Sequence, residues 1–518
     1  MNTDFLVIGA GVAGLRAAIE LAPAGRVTVL AKREAKDPST QLAKGGSAAV
    51  LSDEDEISLH LQDTIDAGDG LVNEQAARVL VEDAPARIEE LIAWGTQFDR
   101  DGTKLTFVRE GGHSHNRILH AHGDSTGREI QRALYAKVKT LPAVSVREFE
   151  FSTDLVVRDG RISGVQVLNE RGEFRTIHAS AVLLATGGMG QVYLDTTNPG
   201  VSTGDGVAMA YRAGAKITDL EFFQFHPTAL YLKKAPHFPL SEALCGEGAY
   251  LRNLEMMRFM PKYHPSGELA PRDVVARAIM HELERSRCKD PVVYLDLTHL
   301  EGSRIRRHFP RIYSTCLDQN IDIASEMIPV RPAAHYAMGG VRTDLDGRAS
   351  LPGLYAAGEA ARTGVHGANR LPSNSLLEGL VFGARAGKKM RDELKHPAAR
   401  SAELPPAAYS NGPVRAPIEG AIREVQELMW KHAGIVRTAS GLKAAIHQLE
   451  TIAERVSHPQ SRREFEARNL HIAGLLLARM ALAREESRGA HYRTDFPNHN
   501  DLRFRKHSVI ERDSLQFE

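Results

Sequence analysis

Asp4-Phe5-Leu6-Val7-Ile8-Gly9-Ala10-Gly11-Val12-Ala13-Gly14-Leu15 carries an apolar run straight into a G-x-G-x-x-G turn. The run reads as a buried strand and the residues after the turn as the start of a helix. The three glycines serve different physical ends. Gly9 makes the tight turn, Gly11 lets the backbone approach a pyrophosphate, and Gly14 lets helix and strand pack closely. The phosphates would sit on the helix N-terminus, where free N–H groups and the dipole favour negative charge. Arg26-Val27-Thr28-Val29-Leu30 supplies a second strand and completes a βαβ unit. The acidic residue expected at its end, for a ribose 2′-hydroxyl, is replaced by Ala31 and Lys32. That weakens a plain NAD reading and leaves Lys32 as either a solvated strand-end residue or a group reaching a phosphate or ribose.

The chain of 518 residues is too long for one core and suggests about two to four domains. Lys+Arg and Asp+Glu both number 65, so no net field draws the chain to nucleic acid or an anionic membrane, and neither is expected as a partner. Cys245, Cys288 and Cys316 lie far apart with no C-x-x-C, which argues against a disulfide framework, a zinc site or an iron–sulfur cluster. Three residues before the first strand leave no room for a signal peptide, and no run of about 18 apolar residues occurs. The expected location is cytoplasmic.

Ala181-Val182-Leu183-Leu184-Ala185 ends in Thr186-Gly187-Gly188, and Leu351 to Ala357 ends in Gly358-Glu359. Both read as strands returning to one cofactor, because a glycine after a buried run permits close backbone approach. The stretch from Phe222 to about Tyr336 breaks the βαβ rhythm and is dense in His, Arg and Glu, so it reads as an insert covering the site. Pro397, Pro405, Pro406 and Pro413 mark a linker. Beyond it, Ile418, Ile422, Val425, Leu428 and Met429, then Leu442, Ile446, Leu449 and Ile452, recur at helical spacing. The expected architecture is an α/β Rossmann-like dinucleotide-binding domain (1–220 and 337–400), an inserted α+β capping domain (221–336), a linker (401–413) and a C-terminal helical domain (414–518).

The loop Ser39-Thr40-Gln41-Leu42-Ala43-Lys44-Gly45-Gly46 offers hydroxyls and glycines soon after the second strand. Together with the glycine fingerprint, Ala185-Thr186-Gly187-Gly188 and Gly358-Glu359, it resembles the flavoproteins of the succinate dehydrogenase and fumarate reductase family. The resemblance covers nearly the whole chain, including Phe225-His226-Pro227-Thr228, Ala270-Pro271-Arg272-Asp273, His366-Gly367-Ala368-Asn369-Arg370 and Glu486-Ser487-Arg488-Gly489-Ala490-His491. It implies FAD as cofactor. Respiratory members hold FAD covalently through a histidine where Ser39 stands here, so the FAD is expected to be non-covalent. FAD-contacting positions map onto Gly9, Ala10, Gly11, Val12, Ala13, Gly14, Lys32, Ser39, Thr40, Gln41, Leu42, Ala43, Lys44, Gly45, Gly46, Asp205, Glu359, Ser375 and Leu376.

Arg109-Glu110-Gly111-Gly112-His113-Ser114-His115 is similar to the signature of the family's amino-acid-oxidising branch, whose glutamate faces the substrate amino group. A carboxylate gives an ammonium its counter-charge and would repel succinate. The resemblance therefore implies oxidation of L-aspartate to iminoaspartate, with oxygen (giving hydrogen peroxide) or fumarate as acceptor. This is the first step of NAD biosynthesis via quinolinate, with possible coupling to quinolinate synthase. Family positions for the two substrate carboxylates fall on His226, Ser241, His335, Arg370 and Ser373. Arg272 corresponds to the proton donor and acceptor, with Glu242 assigned beside it as a catalytic group. Arginine is a poor base at neutral pH, its pKa lying above about 12.

One departure is visible. Ser241-Glu242-Ala243-Leu244-Cys245-Gly246-Glu247-Gly248 places Cys245 where a relay arginine is usual, which predicts an inert thiol and weak fumarate reduction. The pairs His113/His115 and His120/His122 lack the carboxylate and cysteine partners of a metal site, so no metal is expected. Two rival readings remain: a soluble fumarate reductase or succinate dehydrogenase-type flavoprotein, and a flavin module serving only assembly or electron carriage in a larger complex.

Overall fold

The computed structural model describes residues 2–36, 40, 45–232, 238–286, 288–394 and 418–518. Its centre is a five-stranded parallel sheet in the order Leu354–Ala356, Ala181–Leu184, Phe5–Ile8, Val27–Leu30, Val144–Arg147. The three middle strands are buried along their whole length, as a parallel sheet covered on both faces requires. The helix Val12–Leu21 follows the first strand directly and packs on the long helix Asn374–Glu393. Small residues permit this closeness: a Cβ on Gly383 would stand 2.6 Å from the Ala13 carbonyl oxygen. The strand expected from Leu351 to Ala357 is confined to Leu354–Ala356, and the turn before it carries Gly353 at φ 80°.

Residues between Phe223 and Ala337 build a mixed unit. Its sheet runs Phe238–Pro239, Phe223–Leu230, Ile328–Ala337, Val293–Asp296, Tyr250–Arg252, and the helix Arg272–Arg285 lies across it. This unit has its own apolar core, including Leu251, Ile279, Leu295 and Val330.

The C-terminal region departs from an all-helical reading. Helices Ile418–Ala433, Ala439–Val456 and Arg462–Ala483 are present, and the residues expected to form the linker lie outside the described ones. After Ala483 the chain ends in a hairpin, Ser508–Glu511 and Ser514–Phe517. Its first strand pairs antiparallel with Ile217–Thr218. The alternation Ser514-Leu515-Gln516-Phe517 is a period-two signal that the helical pattern upstream masks. Nor do the helices form a separate core, since Leu428, Leu449 and Leu477 share one cluster with Leu6, Ile8 and Leu184 of the parallel sheet.

Candidate active site

The C-terminal ends of the parallel strands open into one cleft with about 1670 Å³ of empty space, counting its mouth. Gly9 to Ala13, Ala31, Lys32, Thr40, Gly45, Gly46 and Glu359 line one part of it. Glu110, His226, Ser241, Glu242, Arg272, His335, Arg370, Ser373, Ser375 and Leu376 line the rest. Ser39, Gln41, Leu42, Ala43 and Lys44 lie outside the described residues.

At the first end, Gly9 has φ 115°, and a Cβ there would sit 2.0 Å from the Ala185 carbonyl oxygen. A Cβ on Gly14 would sit 1.9 Å from the Gly9 carbonyl oxygen, so Gly14 belongs to helix–strand packing and lies behind the cleft wall. Gly11 caps the helix Val12–Leu21 without a side-chain bond, and the first turn holds no acid. The Val12 N–H donates to Thr40 Oγ1 at 3.2 Å. This is the open, unneutralised helix N-terminus that a pyrophosphate needs. Opposite it, Glu359 accepts the Ala337 N–H at 3.1 Å. Burial pushes its carboxyl up to about 7, despite that bond and Arg370. A half-buried carboxylate with one backbone donor suits ribose hydroxyls, so these residues fit a dinucleotide.

Lys32 and Asp205 part company here. Lys32 reaches the cleft, but its Nζ also donates to Asp205 Oδ2 at 2.6 Å, Thr203 Oγ1 at 2.7 Å and Glu466 Oε1 at 3.2 Å. Asp205 does not line the cleft; it anchors Lys32 from behind and accepts from Asn469 Nδ2 at 2.8 Å. The structure therefore gives Asp205 a supporting place in the wall.

At the other end, two arginines converge, and of the two only Arg272 is ion-paired among the described residues. Arg272 donates from Nε to Glu242 at 2.6 Å and from a terminal nitrogen to Gln224 Oε1 at 2.9 Å. Arg370 makes no ion pair among the described residues. Its Cζ lies 4.7 Å from the Tyr336 ring centre, one terminal nitrogen donates to Ser375 Oγ at 3.2 Å, and its buried Nε has no partner among the described residues. Burial and the neighbouring Arg272 push the Arg370 guanidinium down to about 10, so it stays charged at neutral pH. A buried cation with an unpartnered donor is an anion site. His226 and His335 meet edge to face at 5.2 Å, and His335 Nδ1 shares a hydrogen bond of 2.8 Å with Thr197 Oγ1. Burial, His226 and both arginines hold His335 well below the ordinary histidine range, which keeps it neutral. The Ser241 hydroxyl, at the cleft edge, accepts the Ala243 N–H at 3.2 Å.

Between the two ends sits Glu110. Ser373 Oγ donates to its Oε2 at 2.6 Å, and Ser373 itself adopts the left-handed conformation, φ 62°, ahead of the helix Asn374–Glu393. Burial opposes ionisation of Glu110, but His120, the Ser373 bond, His113 and Arg272 outweigh it and hold the carboxyl below its usual range. The cleft thus pairs a fixed carboxylate with a cationic end, which suits a zwitterion bearing a second carboxylate.

Several residues at the site escaped the sequence reading. Gln224 donates to Asn369 Oδ1 and to the Arg370 carbonyl, both at 2.9 Å, so it ties the segment carrying Arg370 to Arg272. Its signal was a lone polar residue two positions before His226 in an apolar strand. Tyr336, under Arg370, donates to the buried Glu378 at 2.7 Å; only its adjacency to His335 pointed to it. Cys245 is buried in the apolar core beside Leu244 and Leu251, and burial with Glu242 and Glu268 pushes its thiol up. His113 donates from Nε2 to the Pro372 carbonyl and His120 from Nδ1 to the Gly123 carbonyl, both at 2.9 Å.

The sheet, the glycine cradle and the two-ended cleft define a dinucleotide-binding α/β oxidoreductase. The family model described as "FAD binding domain" matches residues 4–376, and that described as "Fumarate reductase flavoprotein C-term" matches 422–518. An L-aspartate oxidase from Yersinia pestis is 42% identical, with 96% of each chain covered; L-aspartate oxidase 1 of Ralstonia nicotianae is 45% identical at the same coverage. Among solved structures, an E. coli quinol fumarate reductase FrdA variant superposes with a TM-score of 0.91 at 31% identity, over 100% of this chain and 96% of that one. The chain belongs to the L-aspartate oxidase family, within the FAD flavoproteins of the succinate dehydrogenase and fumarate reductase type. FAD is its cofactor. No helix among the described residues is long and apolar enough to cross a membrane.

Proposed function

We infer that the protein oxidises L-aspartate to iminoaspartate with non-covalent FAD, passing electrons to oxygen, which yields hydrogen peroxide, or to fumarate. The reaction is the first step of NAD biosynthesis via quinolinate. Its unstable product suits direct transfer to quinolinate synthase in the cytoplasm. The unit of residues 221–336 serves as a capping domain inserted into the FAD domain of 1–220 and 337–400. Bound FAD supplies a two-electron acceptor at the cleft.

The observation that carries this reading is Glu110: a buried, ionised carboxylate in the same cleft as Arg370 and Arg272. The substrate ammonium pairs with Glu110, and Arg370 with His335, His226 and Ser241 takes the carboxylates. Charge-assisted bonds of this kind contribute about 1.5–3 kcal/mol each. Arg272, clamped by Glu242 and Gln224, presents a fixed positive charge to the reacting carbons. In the fumarate direction that guanidinium is the family's proton donor. A succinate-oxidising enzyme has no use for Glu110, whose charge would repel succinate.

The test is anaerobic addition of L-aspartate, then succinate, while following oxidised-flavin absorbance. Bleaching by L-aspartate is expected. Bleaching by succinate alone would establish the fumarate reductase or succinate dehydrogenase-type reading instead, and bleaching by neither would mark an electron-carrying module.

A further inference from the structure

We propose that His120 takes up, through Glu110, the proton that the substrate ammonium must release, so that the two residues form a proton relay on the amine side of the cleft. The inference rests on the aspartate-oxidising reading above. Imine formation requires an amine proton to leave, and the cleft offers few acceptors. Arg272 keeps its proton at neutral pH, and its Nε and one terminal nitrogen already donate to Glu242 and Gln224. His335 stands among the carboxylate-binding groups. Glu110 is the base that faces the amine.

The geometry behind Glu110 then decides where the proton goes. Its Oε2 is taken by the Ser373 hydroxyl, while Oε1 lies 3.7 Å from His120 Nε2. His120 Nδ1 is 2.9 Å from the Gly123 carbonyl oxygen, which can only accept, so Nδ1 carries the ring hydrogen. Nε2 of the neutral ring is therefore a bare lone pair, buried and with no hydrogen-bond partner among the described residues. A dry acceptor turned to a carboxylate oxygen is unfavourable until a proton enters between them. Catalytic contacts of this length commonly tighten once substrate is bound.

The turn that holds His120 is itself fixed. Asp99 accepts the N–H groups of His122 and Gly123 at 2.8 and 3.0 Å, and Asp124 accepts the Ile312 N–H at 2.8 Å from the unit that packs over it. The charged and titratable groups around the pair are His113 and Arg272 on the side of Glu110, with Asp99 and Asp124 on the turn.

In the relay an N–H bond of the ammonium breaks, its electron pair stays on nitrogen, and an O–H bond forms on Glu110. That O–H breaks as Nε2–H forms, leaving Glu110 ionised and His120 cationic. Nε2 is buried, so the proton stays on His120 until product leaves and then returns to water through Glu110 and the opened cleft. His120 acts through Glu110 and is a positioning and proton-holding residue.

His120→Asn keeps a donor for Gly123 and removes Nε2. With L-aspartate, the variant should lose about 10²-fold in kcat/KM, and the acid limb that the imidazole imposes should vanish from its pH profile. Fumarate reduction by the dithionite-reduced variant, which moves no amine proton, should change less than about threefold. An unaltered aspartate profile, or equal loss in both reactions, overturns the relay. As a readout apart from turnover, the carbon-13 histidine resonance missing in His120→Asn should titrate at lower pH in Glu110→Gln than in the unaltered protein, and no such change also overturns it. Failure of the unaltered enzyme to be bleached by L-aspartate sinks the reading and the relay together.

Discussion

The Arg370 guanidinium stands 4.7 Å from the centre of the Tyr336 ring, and Tyr336 in turn donates its hydroxyl to the buried carboxylate of Glu378. The cation is held by a ring face and pairs with no carboxylate among the described residues, which leaves its charge available to a substrate. Arg370→Ala should therefore lower kcat/KM for L-aspartate by about 10- to 150-fold, the equivalent of one charge-assisted bond of roughly 1.5–3 kcal/mol. Steady-state kinetics with a peroxide readout checks it, and an unchanged KM would remove Arg370 from the carboxylate site.

Glu110→Gln separates amine from carboxylate recognition. Activity with L-aspartate should drop about 100-fold, because the amide has no counter-charge for the ammonium, whereas fumarate should bind as well or more tightly. Competition of fumarate against L-aspartate measures both. Equal weakening of the two ligands would mean that Glu110 is structural.

The thiols should differ in reactivity. Cys245 and Cys316 are buried and Cys288 is exposed, so alkylation of the native protein at pH 8 should label Cys288 alone. Mass spectrometry of the labelled peptides reads this directly. Cys245→Arg should raise fumarate turnover by restoring the usual relay arginine; unchanged turnover would show that the departure at this position is neutral for the reaction.

Glu359 gives FAD binding a pH dependence. Its carboxyl is raised to about 7 by burial, so without ligand it holds its proton well above the ordinary carboxyl range of about 4.3. The sign follows: such a group costs stability as it ionises, and this contribution falls as pH rises from about 4.3 to 7. Ribose hydroxyls donating to the carboxylate favour the ionised form. Affinity of the apoprotein for FAD should then strengthen as pH rises toward 7, by at most tenfold per unit, and flatten above it. Fluorescence titration from pH 5.5 to 8.5 tests this, with Glu359→Gln expected to flatten the curve.

Arg484 and Glu221 form an ion pair of 2.7 Å with neither side chain exposed. Arg484 also donates to the Phe504 and Lys506 carbonyls, tying the terminal hairpin to the strand region before Phe223. Arg484→Met should cost about 3–5 kcal/mol, since it strands a buried carboxylate. Denaturant unfolding should show one shifted transition; an early separate transition of the C-terminal region would contradict the shared core.

The first βαβ unit was legible because backbone geometry dictated its glycines: φ of 115° and a neighbouring carbonyl at 2.0 Å leave Gly9 no substitute. Glu110, Arg272, His335 and Arg370, drawn from four distant segments, do line one cleft, and it was family resemblance, not local pattern, that joined them. Local pattern failed where long-range packing decides. Nothing near Asp205 announces that its carboxylate is spent on Lys32, and the final hairpin needs Ile217–Thr218 as a partner before its alternation means anything. Gln224 was hidden for the same reason, since its value lies in the two arginine segments it joins.

Lys32 is held in the cleft wall by Glu466, 434 residues further along the chain. A ribosome making this protein finishes the glycine cradle almost at once and supplies its last carboxylate brace near the end of its work. The wall behind Lys32 is thus closed by residues made long after the cradle it supports, so the two ends of the sequence meet in one piece of architecture.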